Sequence, residues 1–152
     1  MMVGLSTLDF LVGSWKGRSV DQFGEKGTID SALECRREPS ERFLQLLGES
    51  RKDGKLLNRS VEFITYDPGV RKYISKRMWS MGFIENGVGT WKDGDTLVFQ
   101  IRFDNEPPFF AGTLWRGFIR RYGDDEIGHG LYTAKKGGRY RLYGETRERR
   151  VS

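Results

Sequence analysis

Apolar and polar residues alternate with a period of two along most of this chain, which is the pattern of strands buried on one face. Leu97, Phe99, Ile101 and Phe103 share one side of such a segment, and Gln100 lies on the other. Ten segments of this kind predict ten strands. They are Gly13–Val20, Gly27–Arg37, Arg42–Ser50, Leu57–Tyr66, Val70–Ser80, Phe83–Trp91, Thr96–Phe103, Phe109–Tyr122, Glu126–Ala134 and Arg139–Arg149.

A helical pattern occurs only at the start of the chain. The apolar residues between Leu5 and Leu11 form one side of a short helix, which Ser6 is predicted to cap and Gly13 to end. Every later segment is too short or too strictly alternating for a crossover helix. The strands are therefore predicted to pair antiparallel with their neighbours along the chain.

Turn sequences separate the predicted strands. Asp53-Gly54 and Asp93-Gly94 are typical of tight hairpins. Asn86-Gly87 has the same character but falls inside the predicted strand Phe83–Trp91, so that segment is either one strand or a hairpin tip. Closing a meander of about ten strands removes both exposed edges. We therefore predict a single all-β domain over residues 1–152, a closed antiparallel up-and-down barrel with a short N-terminal helix.

Composition narrows the class of protein without naming a function. The net charge is +5, and the basic residues are scattered through the predicted strands, as expected for a solvated outer face. Cys35 is the only cysteine, so no internal disulfide can form, and a reducing cytoplasm is the expected location. No stretch approaches the roughly 18 apolar residues of a membrane helix. The oligomeric state, a homodimer included, is left open.

The stretch Gly13-Ser14-Trp15-Lys16-Gly17, placed directly after a short helix, resembles the first strand of the calycin superfamily. That superfamily includes lipocalins, fatty-acid-binding proteins and nitrobindin-like barrels. The turn Tyr66-Asp67-Pro68 and the hairpin Trp91-Lys92-Asp93-Gly94 are similar to an uncharacterised prokaryotic lipocalin-like family. The resemblance implies a structural role for Trp15 at one end of the barrel, with Arg147 or Arg149 over its ring.

Arg77 is the first candidate for ligand binding. It alternates with Tyr73 and Trp79 on one face, a mixture of ring, hydroxyl and charge that is unusual for a solvated surface. If this face points inward, Arg77 needs a partner, since an unpaired buried charge costs several kcal/mol. Either an internal carboxylate or a ligand anion would supply that partner.

Arg141 and Tyr143 form a second candidate pair. Fatty-acid-binding proteins hold a carboxylate with an Arg-x-Tyr pair on their last strand, and residues two apart on a strand face the same way. The alternative is an exposed contact between the two side chains, with Tyr140 and Leu142 on the inner face.

His129 is the only histidine, and it shares a strand face with Ile127 and Leu131. Nitrobindin-like barrels bind haem through a histidine of the closing strand, but Arg139–Arg149 contains none. His129, one strand earlier, would have to replace that ligand. The alternative is a histidine whose hydrogen bonds are satisfied within the protein or that lies at the surface.

No nucleophile elbow, zinc spacing or phosphate loop is present. Arg116, Phe118 and Arg120 interleave as in some single-strand-binding surfaces, but nothing else supports nucleic-acid binding. We therefore predict a barrel that binds a small hydrophobic or amphipathic molecule, with a carboxylate or phosphate head as one option and no cofactor or metal required. The alternatives are a haem-binding barrel, an isomerase or hydratase, and a filled barrel that acts through its surface.

Overall fold

The structure, a computed structural model, describes residues 3–22, 25–106 and 111–152. A 3₁₀ helix, Leu5–Leu11, precedes ten strands. The strands are β1 (Gly13–Gln22), β2 (Glu25–Arg37), β3 (Leu44–Lys52), β4 (Lys55–Asp67), β5 (Lys72–Trp79), β6 (Ile84–Trp91), β7 (Thr96–Phe103), β8 (Thr113–Arg121), β9 (Glu126–Lys135) and β10 (Arg141–Arg150).

Each strand pairs antiparallel with the next one along the chain, and β10 returns to pair with β1. This closed sheet confirms the predicted all-β barrel with one short N-terminal helix. The helix differs from the prediction in its cap, because its N-cap residue is Gly4 and not Ser6. No helix in the described ranges is long and apolar enough to cross a membrane.

The Asn86-Gly87 pair does not form a hairpin tip, and β6 runs through it without a break. A Cβ atom at Gly87 would lie 2.4 Å from the Ser75 hydroxyl oxygen, and one at Gly89 would lie 2.7 Å from the Phe99 ring. These glycines are therefore explained by the close packing of inner side chains against β6. The first two residues of the predicted strand Phe109–Tyr122 lie outside the described residues.

Asp53-Gly54 forms the tight hairpin turn that the sequence predicts. Both residues have positive φ, 51° and 78°, as a type I′ hairpin requires. This turn lies at the rim that we call the open end. The opposite rim, against which the 3₁₀ helix packs, is the closed end.

Large apolar side chains fill the closed end. Leu8 and Leu11 of the helix are fully buried there among inward residues of the strands. Trp15 donates its indole N–H to the carbonyl of Leu11 at 2.8 Å, which fixes the helix to β1. The buried inward residues of this end include Trp15, Leu44, Ile64, Tyr73 and Leu97.

Candidate ligand-binding site

A cavity of about 130 Å³ occupies the barrel beyond the packed closed end. Its existence follows from small residues at inward positions, where the closed end has large ones. These are Ser31, Gly48, Ser50, Ser60, Ser75 and Gly117. The cavity is close in size to the apolar cavity of roughly 150 Å³ that holds benzene in an engineered protein.

Part of the cavity lining is apolar. Its side chains extend the packed core toward the open end, and they include Leu33, Leu46, Phe99, Ile101 and Ile119. The remaining lining carries hydroxyl, carboxylate, guanidinium and imidazole groups. This mixture of groups suits a molecule with an apolar body and one polar group.

Arg77 lies on the polar wall between two buried glutamates. Its Nη2 donates to Oε1 of Glu62 at 2.8 Å, and its Nε lies 3.9 Å from Oε2 of Glu85. The guanidinium also lies 5.0 Å from the centre of the Trp79 ring. Of the two partners that the sequence left open for Arg77, the structure provides internal carboxylates.

The charges in this cluster do not balance. Burial would lower the pKa of Arg77, but Glu62 and Glu85 outweigh it, so the pKa is raised and the guanidinium stays charged. Burial raises the pKa of Glu85, and the charge of Glu62 adds to this effect. Arg77 and a hydrogen bond from Trp79 oppose the increase without cancelling it. Two carboxylates therefore compete for one guanidinium.

His129 lies on another part of the cavity wall, on β9. Its Nε2 is hydrogen-bonded to Oε1 of Glu148, a fully buried residue of β10. The other oxygen of Glu148 accepts a hydrogen bond from the Ser31 hydroxyl at 3.1 Å. The imidazole is thus held in one orientation at the edge of the cavity.

The structure separates the six predicted ligand-binding residues into two groups. Arg77, Trp79, His129 and Tyr143 line the cavity. Tyr73 lies at the closed end instead, where its hydroxyl contacts the Thr7 hydroxyl at 2.6 Å, donates to the Gly4 carbonyl at 3.0 Å and accepts from the Trp91 indole at 3.1 Å. Tyr73 therefore anchors the helix.

Arg141 and Tyr143 do not act as one pair. A bulge shifts the register of β10 between Leu142 and Gly144, so the rule that residues two apart face the same way fails here. Arg141 is exposed and outside the cavity lining, whereas Tyr143 packs edge-on against Trp115 with ring centres 5.3 Å apart. Tyr143 is the part of this prediction that reaches the cavity.

The arginine over Trp15 is Arg150, and this corrects the expectation of Arg147 or Arg149. The Arg150 guanidinium lies 4.3 Å from the Trp15 ring centre and donates to the carbonyls of Val12 and Phe10. Arg147 lies instead over Tyr122, at 3.7 Å. The reason is strand alternation, since Glu148 points inward and its two neighbours point outward.

Sequence reasoning missed Glu62, Glu85 and Glu148. Glu62 is directly opposite Arg77 in the β4–β5 register, and Glu85 is opposite Arg77 in the β5–β6 register. Counting back from the Asp67-Pro68-Gly69 turn would have revealed the first pair. No such count leads to Glu148, because the bulge in β10 intervenes.

The arginines considered for nucleic-acid binding are engaged on the outer face of the barrel. Arg116 stacks 3.9 Å from the Tyr140 ring centre, and Arg120 lies 5.1 Å from that of Phe118. Phe118 itself is buried and packs against Tyr132. A buried ring offers no face for a nucleic-acid base.

Metal binding has no support in the part of the chain that the structure describes. No group of three or more histidine, cysteine, aspartate and glutamate side chains there is arranged to hold a metal ion. The carboxylates of the cavity instead interact with Arg77 and His129.

The structure defines a closed ten-stranded barrel with an internal cavity, and its likeness to known proteins lies in the fold. No protein-family model and no curated protein matches the sequence. The crystal structure of Rv2717c from M. tuberculosis superposes with a TM-score of 0.73 at 20% identity, over 97% of each chain. A de novo designed fluorescence-activating β-barrel gives a TM-score of 0.44 at 12% identity, over 98% of this chain and 99% of that one. The relation to calycins stays a prediction.

Proposed function

We propose that this protein binds one small amphipathic molecule inside the barrel. The observation that carries the proposal is the cavity of about 130 Å³, which both apolar and polar side chains line, in a barrel whose other end is fully packed. Burial of the apolar part would supply affinity at roughly 25 cal/mol per Å² removed from water. The buried polar groups would orient the molecule.

The size of the cavity limits the ligand. Common small-molecule sites measure roughly 300–1,000 Å³, well above the 130 Å³ here. A single ring or a short branched chain with one polar group matches this space. A long fatty acid does not.

Haem fits the cavity poorly, for two reasons. A porphyrin needs far more room than about 130 Å³. In addition, the Nε2 atom of His129 is hydrogen-bonded to the buried Glu148, so that nitrogen is not directed at the cavity as an axial ligand. Both observations favour a smaller organic molecule over the haem alternative.

Native mass spectrometry of freshly purified protein tests the proposal. We expect a bound mass of one small molecule that is lost on denaturation. Ser60→Leu places a larger side chain in the cavity and should abolish this mass. Ser40→Leu is the matched control, because it makes the same change at an exposed turn position and should leave the bound mass intact.

If the ligand is lost during purification, a titration with benzyl alcohol tests the proposal instead. Binding is detected from the amide chemical shifts of ¹⁵N-labelled protein. Shifts confined to cavity residues and absent in Ser60→Leu would support the proposal. An apo mass together with equal benzyl alcohol shifts in the wild type and Ser60→Leu would rule it out.

A second candidate function is proton transfer on the bound molecule, and the His129–Glu148 pair favours it. A histidine oriented by a buried carboxylate at the edge of a cavity is a common arrangement for a general base. Deuterium exchange at acidic C–H positions of small ketones in D₂O tests this function. His129→Gln should abolish the exchange if His129 is the base, while a rate equal to that of buffer in the wild type would exclude it.

A further inference from the structure

The polar wall of the cavity has a consequence for the charge of the ligand. Three inward carboxylates, those of Glu62, Glu85 and Glu148, face the guanidinium of Arg77 and the imidazole of His129. Glu49 also contributes to the lining, but its carboxylate pairs with Arg51 at 3.1 Å and with Arg59 at 3.7 Å. With every carboxylate ionised, the inward groups are therefore net negative whether His129 is neutral or protonated.

The excess negative charge is concentrated around Arg77. Glu62 and Glu85 are each only 4% exposed, and Arg77 forms a hydrogen bond to Glu62 alone. The distance of 3.9 Å from Arg77 Nε to Glu85 Oε2 is too long for a hydrogen bond. One buried carboxylate thus lacks a full cationic partner, which is unfavourable in a protein interior.

Unused hydrogen-bonding capacity lies next to this pair. Ser75 is 3% exposed and lines the cavity, and its hydroxyl makes no hydrogen bond to any other residue in the described ranges. It precedes Arg77 by two positions on β5, so both side chains project to the inner face. Because Ser75 lines the cavity, a bound molecule can supply a hydrogen-bond partner for its hydroxyl.

We propose that the ligand carries a small cationic head group with N–H donors, an ammonium, which binds from the cavity against Glu62 and Glu85, beside Ser75. An ammonium offers three donors and one positive charge, and these match two carboxylates and one hydroxyl. The apolar part of the ligand then lies against Phe99 and Ile101. This inference rests on the proposed function and reverses the sign of the head group that Arg77 suggested from sequence.

Three probes of nearly equal size test the charge of the head group: benzylamine, benzyl alcohol and benzoate. Each is titrated into ¹⁵N-labelled full-length protein at pH 7.5, and dissociation constants are taken from the amide shifts of cavity residues. We expect benzylamine to bind at least tenfold more tightly than benzyl alcohol. Benzoate should bind more weakly than either.

Variants locate the head group. The double variant Glu62→Gln/Glu85→Gln keeps the shapes of both side chains and should reduce the preference for benzylamine over benzyl alcohol to less than threefold. Ser75→Ala should weaken benzylamine several-fold and leave benzyl alcohol unchanged. Glu34→Gln removes an exposed carboxylate and is the matched control, with no change expected.

The outcomes separate the two proposals. If benzoate or benzyl alcohol binds as tightly as benzylamine to the wild type, the ammonium site is wrong and the ligand-binding function stands. The same conclusion follows if the double variant, shown to be folded by its near-UV circular dichroism, keeps the full preference for benzylamine. If none of the three probes shifts the cavity resonances at millimolar concentration, both proposals fail.

Discussion

The closed and open ends of this barrel are built by the same ten strands but use their inward positions differently. At the closed end these positions carry large apolar side chains, such as Trp15, Leu44 and Leu97, which are at most 1% exposed. Toward the open end they carry serine, glycine and charged groups around a cavity. The same alternation of inward and outward residues therefore produces a packed core at one end and a cavity at the other. The volume and polarity of the inward side chains determine which of the two forms. Stability should depend mainly on the first region and binding on the second.

The largest effect is expected from the same substitution made at both ends. Trp15→Ala removes a buried ring from the closed end and should lower the free energy of unfolding by about 3–5 kcal/mol. Trp79→Ala removes a ring that lines the cavity, where fewer neighbours surround it, and should cost about 1–2 kcal/mol. Urea denaturation at pH 7 measures both values. Equal losses at the two ends would contradict the division of tasks.

The second prediction concerns the contribution of Arg77 to stability on the charged wall of the open end. Arg77→Met leaves Glu62 and Glu85 without their cation and should cost about 3 kcal/mol, since breaking a buried ion pair leaves an uncompensated charge. Arg59→Met removes an exposed arginine from the outer face of the barrel and should change stability by less than about 0.5 kcal/mol.

Adding Glu62→Gln and Glu85→Gln to Arg77→Met should restore most of the lost stability, because the buried charges are then gone. Urea denaturation of the triple variant checks this expectation. A triple variant as unstable as Arg77→Met alone would show that packing, and not charge, explains the loss.

The barrel and its faces were predictable because they depend on local patterns. The alternation of Leu97, Phe99, Ile101 and Phe103 marked both a strand and its inner side, and Asp53-Gly54 marked a hairpin. Such signals need only a few neighbouring residues. They can be recognised without knowledge of the rest of the chain.

The site was less predictable because it depends on pairings between distant residues. The contact between His129 and Glu148 requires the register of β9 and β10, which a bulge at Leu142/Gly144 shifts by one residue. The same shift separates Arg141 from Tyr143. Arg150 packs on Trp15 because the pairing of β1 with β10 places the two residues directly opposite each other. A one-residue slip changes the face of every later side chain, so sequence alone cannot assign these roles.

The third effect concerns pH and again distinguishes the ends, because Glu85 is a buried titratable group of the open end. Burial raises its pKa in the folded state above the usual value of about 4.3. As pH rises from about 4.3 toward the raised value, the unfolded chain loses the proton and the folded protein keeps it. The contribution of Glu85 to the free energy of unfolding therefore falls with rising pH.

Glu85→Gln should lack this contribution, so its stability relative to the wild type should increase with pH and then level off above the folded pKa. Urea denaturation of both proteins at half-unit steps from pH 4 to pH 8 measures the difference. Glu34→Gln, at an exposed position, should show no such trend. A flat difference for Glu85→Gln would mean that Arg77 compensates the carboxylate fully.

The last prediction concerns the reaction rate of a thiol at each end of the barrel. This rate measures how easily a reagent reaches each region and does not depend on stability. Cys35 belongs to the closed-end core, and burial, together with the charge of Glu62, raises its pKa to about 12. Since the thiolate is the reactive form, the native protein at pH 8 should react with iodoacetamide about a thousandfold more slowly than the urea-unfolded protein.

In a Cys35→Ser background, Ser60→Cys places a thiol in the cavity instead, where solvent and reagent enter. That thiol should react within about tenfold of the unfolded rate, as followed by mass spectrometry. If both thiols react equally slowly, small molecules do not enter the cavity. The two ends of the barrel would then differ in the polarity of their inward side chains but not in their accessibility to solvent.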